Sequence, residues 1–108
     1  MGSDHITQLQ IIQQNLQNTM MQKQQFQQEL VELESALREL PKSSQSFQIV
    51  GKLMISKSRE NLEAELNERK EIIDLRINNF EKQEKQLKVS LEETQKKALE
   101  ELKAEKKV

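Results

Sequence analysis

The sequence predicts a mainly α chain, a long antiparallel two-helix coiled coil joined by one β-hairpin. Three observations carry that expectation: two stretches of heptad-spaced apolar residues, a single proline where the first stretch stops, and a short glycine-containing island of β-forming residues between them. Composition agrees. With 34% hydrophobic and 32% charged residues, three Phe and no Tyr or Trp among 108 residues, a compact ball would have little to bury.

The first element is expected over residues 6–40. Leu9, Leu16, Leu30 and Leu37 fall on one core row of the heptad, and Ile12, Phe26, Leu33 and Leu40 on the other, with Thr19 and Lys23 as polar breaks. A seven-residue repeat makes a narrow stripe that is buried only against a second helix supercoiling around it. Pro41 should end the helix, because proline lacks an amide hydrogen and biases the preceding residue away from helical geometry. Ten Gln among the first 28 residues raise the alternative of a disordered polar tract, but the intact heptad favours helix.

Residues 42–57 form the expected hairpin region. After the polar run Ser43-Ser44-Gln45-Ser46, the stretch Phe47-Gln48-Ile49-Val50-Gly51-Lys52-Leu53-Met54-Ile55 reads as strand, turn and strand, with Gly51 supplying the backbone freedom of a turn or bulge. Apolar residues on both faces near the turn imply pairing with strands of other chains, since a lone hairpin is marginal in water.

The second helix is expected over residues 58–106. Leu66, Ile73, Phe80 and Leu87 make a good row, while Ile77, Leu91 and Ala98 make a weaker one interrupted by Lys70 and Glu84. Ser58 is a candidate N-cap and Glu60 suits the first turn. Outward acid–base pairs four apart are Glu65 with Arg69, Glu81 with Lys85, Glu84 with Lys88, Glu92 with Lys96 and Glu93 with Lys97. Folding back through the hairpin brings Leu40 near Leu62 and Leu9 near Glu93, with the second helix overhanging the first. The whole, residues 1–108, is expected to be one domain.

Several function classes are excluded by chemistry. Seventeen basic against eighteen acidic residues create no field for nucleic acid. The longest apolar run of the hairpin, Leu53-Met54-Ile55, is far below the roughly 20 residues of a membrane span, and no secretory leader pattern opens the chain. The absence of cysteine fits a reducing compartment, so a soluble cytoplasmic protein is expected. His5 has no neighbours at ligand spacing, no glycine loop could cradle phosphate, and no nucleophile lies beside a base. No metal, cofactor or catalytic residue is expected, and the chain is not read as an enzyme.

The run from Phe47 to Glu60, an aromatic, three residues, a glycine, an apolar strand and a charged helix start between two heptad helices, resembles the β-class subunits of the prefoldin family, archaeal type. This sequence departs from the pattern in having Phe47 where tyrosine is common, and in its serine-rich loop. The resemblance implies an ATP-independent holdase that captures unfolded proteins at coiled-coil tips and delivers them to a group II chaperonin. It implies a hexamer of two α-class and four β-class subunits, in which Phe47, Ile49, Val50, Leu53, Met54 and Ile55 build a shared β-barrel with Gly51 in the turn. One hairpin marks the β class, since an α-class subunit would need a longer insert.

Candidate client-binding residues lie at the helix ends: Ile6, Leu9, Ile11 and Ile12, with Leu99 and Leu102 placed beyond the reach of the first helix. Ile6 and Ile11 fall off the seam, and Met20 with Met21 offer further polarizable contacts, although they read as well as plain flank residues. Each end residue could instead fray or continue the coiled coil. Lys103, Lys106 and Lys107 are candidates for docking an acidic chaperonin surface, or a solvated tail that favours the helix dipole. The main rival function is a structural coiled-coil tether or scaffold that binds one defined partner and would need no hairpin.

Overall fold

The computed structural model describes residues 2–43 and 45–106, of which residues 2, 3, 105 and 106 by their backbone alone. Helix α1 spans Gly2–Glu39, a 3-10 turn covers Leu40–Lys42, strands β1 and β2 span Phe47–Val50 and Leu53–Ser56, and helix α2 spans Arg59–Lys106. The expected fold class is the one observed. Helix α1 starts at Gly2 rather than residue 6, because nothing between Gly2 and His5 breaks a helix and Asp4 suits the positive end of its dipole. Pro41 lies in the 3-10 turn, where its missing amide hydrogen leaves no helical bond unmade.

The chain divides into two compact units: Gln25–Ile77, and Met1–Gln24 with Asn78–Val108. In the Gln25–Ile77 unit, the two helical segments bury Leu33, Ile73 and Ile77 against each other, with Phe26, Leu30 and Leu66 packed around them. Leu40 is also buried. Ile73, 3% exposed, is the most deeply buried of these apolar residues. The seam is flanked by ion pairs between the helices, Arg69 to Glu29 at 2.6 Å and Lys70 to Glu34 at 3.8 Å, and the Arg76 guanidinium lies 5.3 Å from the centre of the Phe26 ring. Ser58 caps α2, its Oγ accepting from the Asn61 amide at 3.3 Å.

In the unit of Met1–Gln24 and Asn78–Val108 the seam is of different chemistry. Leu9, Ile12, Leu16, Leu87, Leu91 and Ala98 are half-buried, and the buried residues are Thr19, Glu84 and Thr94. Thr19 satisfies its hydroxyl on the Asn15 carbonyl at 2.8 Å. Lys23 Nζ donates to Glu84 Oε2 at 2.6 Å, and Lys88 lies 3.0 Å from the other carboxylate oxygen. The pairs Lys23–Glu84 and His5–Glu101, the second at 2.8 Å between Nδ1 and Oε1, run antiparallel. They place Leu9 beyond Glu93, toward Ala98, so the expected register is displaced by about one helical turn.

Of the five expected pairs four apart on α2, Glu84–Lys88 is the one that forms among the described residues. Arg69 turns instead to Glu29 across the seam, and Glu65 takes Lys57. An exposed pair on a single helix contributes only about 0.3–0.5 kcal/mol, so a partner that also fixes a second element displaces it readily.

Candidate functional site

The hairpin is the first candidate surface. Its register is Phe47 with Ser56, Gln48 with Ile55, Ile49 with Met54 and Val50 with Leu53, leaving Gly51 and Lys52 as a two-residue turn. Gly51 has φ +61°, and no other described residue has positive φ. Positive φ confined to the first central position is the type II′ pattern, whose twist matches that of a hairpin. Gly51 therefore makes a turn rather than a bulge. At the base, the Lys57 amide donates to the Ser46 carbonyl at 2.9 Å, and Lys57 Nζ is held by Gln48 at 2.9 Å and by Glu65.

Alternation along the strands puts Phe47, Ile49 and Met54 on one face, and Val50, Leu53 and Ile55 on the other. All six are exposed, from 46% for Phe47 to 70% for Ile49. The sheet has two strands, so the outer edge of each strand also presents unpaired main-chain groups. An apolar surface on both faces of a two-stranded sheet has no stable existence in water by itself.

The helix ends in the unit of Met1–Gln24 and Asn78–Val108 are the second candidate surface. Ile6, Ile11, Leu99 and Leu102 are each about half exposed, whereas Leu9 and Ile12 stay half-buried in the seam. The expectation that Leu99 and Leu102 lie past the end of the first helix is corrected by His5, which reaches Glu101. Helicity from Gly2 onward extends the pairing, so Leu99 and Leu102 are exposed because they face outward.

Ile6 and Leu102 each follow one residue after the facing pair His5 and Glu101. In an antiparallel pair that places both on the same flank of the seam, with Leu99 one turn away on the same face of α2. Ile11, two residues past the Leu9 core position, falls on the other flank. Met20 and Met21 are exposed beside Leu16, in a shallow hollow of about 290 Å³ on α1. Lys103 is exposed, while the Lys106 side chain and Lys107 lie outside the described residues. Sequence reasoning named Lys23 as a break in one row and Glu84 as a break in another and a partner of Lys88, without joining the two; their opposite charges were the signal that they meet.

The Glu84 carboxyl is held below its ordinary value by hydrogen bonds from Lys23 and then Lys88, against a smaller opposing effect of burial. Among the described residues no group of three or more His, Cys, Asp or Glu is placed to hold a metal ion, and no helix is long and apolar enough to cross a membrane.

Residues 3–105 match the family model described as prefoldin subunit. The chain belongs to the prefoldin family. Its relatives include the prefoldin subunit beta of Sulfurisphaera tokodaii, 36% identical over 95 residues that cover 85% of this chain and 76% of that one. The prefoldin subunit beta of Thermococcus kodakarensis is 39% identical over 89 residues, covering 80% and 76%. The crystal structure of the prefoldin beta subunit from Thermococcus strain KS-1 superposes with a TM-score of 0.85 at 33% identity, covering 94% of this chain and 91% of that one. Prefoldin membership makes the chain a chaperone subunit, built on a coiled coil and a β-hairpin that a plain tether would not require.

Proposed function

We propose that the chain is a β-class subunit of a prefoldin hexamer with two α-class and four β-class members, in which it acts as one domain and holds non-native proteins without nucleotide. The observation that carries this reading is the hairpin, whose Phe47, Ile49, Val50, Leu53, Met54 and Ile55 are all exposed on a sheet with open edges. Burying these side chains between subunits gains about 25 cal/mol for each Å² of apolar surface removed from water, and strand pairing satisfies the edges. Gly51 serves this by letting the strands turn in two residues.

Client holding is assigned to Ile6, Ile11, Leu99 and Leu102, with Leu9 and Ile12 reached where the seam loosens. Non-native chains share exposed apolar side chains, and half-exposed Ile and Leu of a folded helix pair offer them a complementary surface. Delivery to a group II chaperonin in the cytoplasm is assigned to the basic residues Lys103, Lys106 and Lys107, as a steering contact for an acidic surface.

Native mass spectrometry of the chain mixed with an α-class subunit tests the assembly. A six-subunit species with four copies of this chain is expected, lost in a Phe47→Ser, Ile49→Ser double variant that retains its helical circular dichroism. A variant that still forms the hexamer would contradict the assignment.

A further inference from the structure

Residues 6–22 of α1 contain no charged side chain, in a protein that is 32% charged. Part of this stretch lines a groove of about 460 Å³ formed by Asn15, Asn18, Thr19 and Gln22 of α1 with Gln83, Gln86, Leu87 and Ser90 of α2. None of the eight is ionisable, although Lys82, Lys85 and Lys88 lie close by in sequence. Both helices thus turn uncharged polar groups to the same side.

The heptad makes this departure specific. Asn15, Gln22, Gln83 and Ser90 occupy the positions that flank an antiparallel seam, where coiled coils ordinarily place ion pairs. At the same heptad positions the Gln25–Ile77 unit has Glu29 and Arg69, paired at 2.6 Å. Carboxamides there add little to pairing between the helices. The side-chain amides of Asn15, Asn18, Gln22, Gln83 and Gln86 have no hydrogen-bond partner among the described residues, so their donors and acceptors remain available.

We propose that this groove docks the main chain of an extended polypeptide, recognised by carboxamide hydrogen bonds to its peptide groups; this deepens the client-holding reading and rests on it. A carboxamide is the side-chain counterpart of the peptide group, offering an N–H donor and a C=O acceptor to the C=O and N–H of an extended strand. The absence of charge in the groove matches the absence of charge on a backbone and discriminates against neither acidic nor basic clients. From Asn15 to Gln22 the helix rises about 10 Å, the length of about three extended residues. Leu87, half-buried, gives the floor one apolar contact. Ile11, half exposed on the same flank as the groove, offers a contact to an apolar side chain of a client whose backbone is held here, while Ile6, Leu99 and Leu102 present their apolar surface on the opposite flank.

The test replaces hydrogen-bonding capacity with apolar surface of similar size in the assembled, full-length protein. Gln22→Met with Gln83→Met keeps good helix formers at exposed positions. Binding is followed by fluorescence anisotropy with an uncharged, capped, unstructured peptide of Ala, Gln and Leu, and with its backbone N-methylated copy. Losing two hydrogen bonds is expected to weaken binding of the unmethylated peptide about tenfold, with no further effect of the variant on the methylated copy. Unchanged or tighter binding of the unmethylated peptide overturns the groove assignment, since purely apolar capture would gain from methionine. An Ile6→Ser, Leu102→Ser arm separates the two readings: if it abolishes capture while the methionine variant does not weaken it, only the groove assignment falls. If the parent assembly captures neither peptide, client holding falls and the groove assignment with it.

Discussion

Lys23 Nζ and Glu84 Oε2 are 2.6 Å apart, so the two charged residues that interrupt separate heptad rows meet within the seam. Their side chains retain 20% and 11% of their exposure, and Lys88 supplies a second cation to the same carboxylate. Removing one member of a buried pair costs more than removing both, because the remaining charge loses its compensation.

Thermal denaturation of Lys23→Leu should therefore show a loss of about 1–3 kcal/mol, moderated by Lys88. A Lys23→Leu, Glu84→Leu double variant should be equal to the parent or more stable, since leucine continues both rows. A double variant less stable than the single would show that the pair is worth more than apolar packing at this layer.

The same pair predicts acid sensitivity of definite sign. Glu84 titrates below its ordinary value of 4.5, so its stabilisation is complete above that pH and is lost as pH falls from there through the lower folded value. Urea midpoints measured across the acid range should decline more steeply for the parent than for Glu84→Gln. Parallel declines would remove Glu84 from the account.

Ile73 and Ile6 test the division between packing and contact surface. Ile73→Ala, at a 3% exposed position against Leu33 and Ile77, should cost about 2–4 kcal/mol. Ile6→Ala, at 50% exposure, should stay within about 0.5 kcal/mol of the parent in a chemical denaturation series.

Gly51 isolates backbone conformation from sterics. A Cβ built there meets nothing within 4 Å, so Gly51→Ala carries only the penalty of φ +61°, about 1 kcal/mol, and Gly51→Asn less. Dissociation of the assembly on dilution should follow that order, with glycine tightest and alanine weakest.

Most of the fold was legible because its determinants are local: Pro41 and Gly51 act through their own backbone, and heptad rows need only spacing. Register in the unit of Met1–Gln24 and Asn78–Val108 was not, because it shows in side chains that meet across the seam, Lys23 with Glu84 and His5 with Glu101, which spacing within one helix does not reveal. The pairs four apart on α2 were misread for a related reason. Arg69 has Glu29 as a rival partner across the seam, visible only once the helices are side by side. The apolar hairpin was readable residue by residue, whereas the amide groove emerges only where Gln22 and Gln83 share a flank.

The most direct measurement is light scattering from an aggregating denatured client in the absence of nucleotide, with assembled parent and with an assembly carrying Ile6→Ser, Ile11→Ser, Leu99→Ser and Leu102→Ser. The parent is expected to suppress scattering, and the variant, with the same native mass, to lose most of that protection. Equal protection by the two assemblies would contradict it.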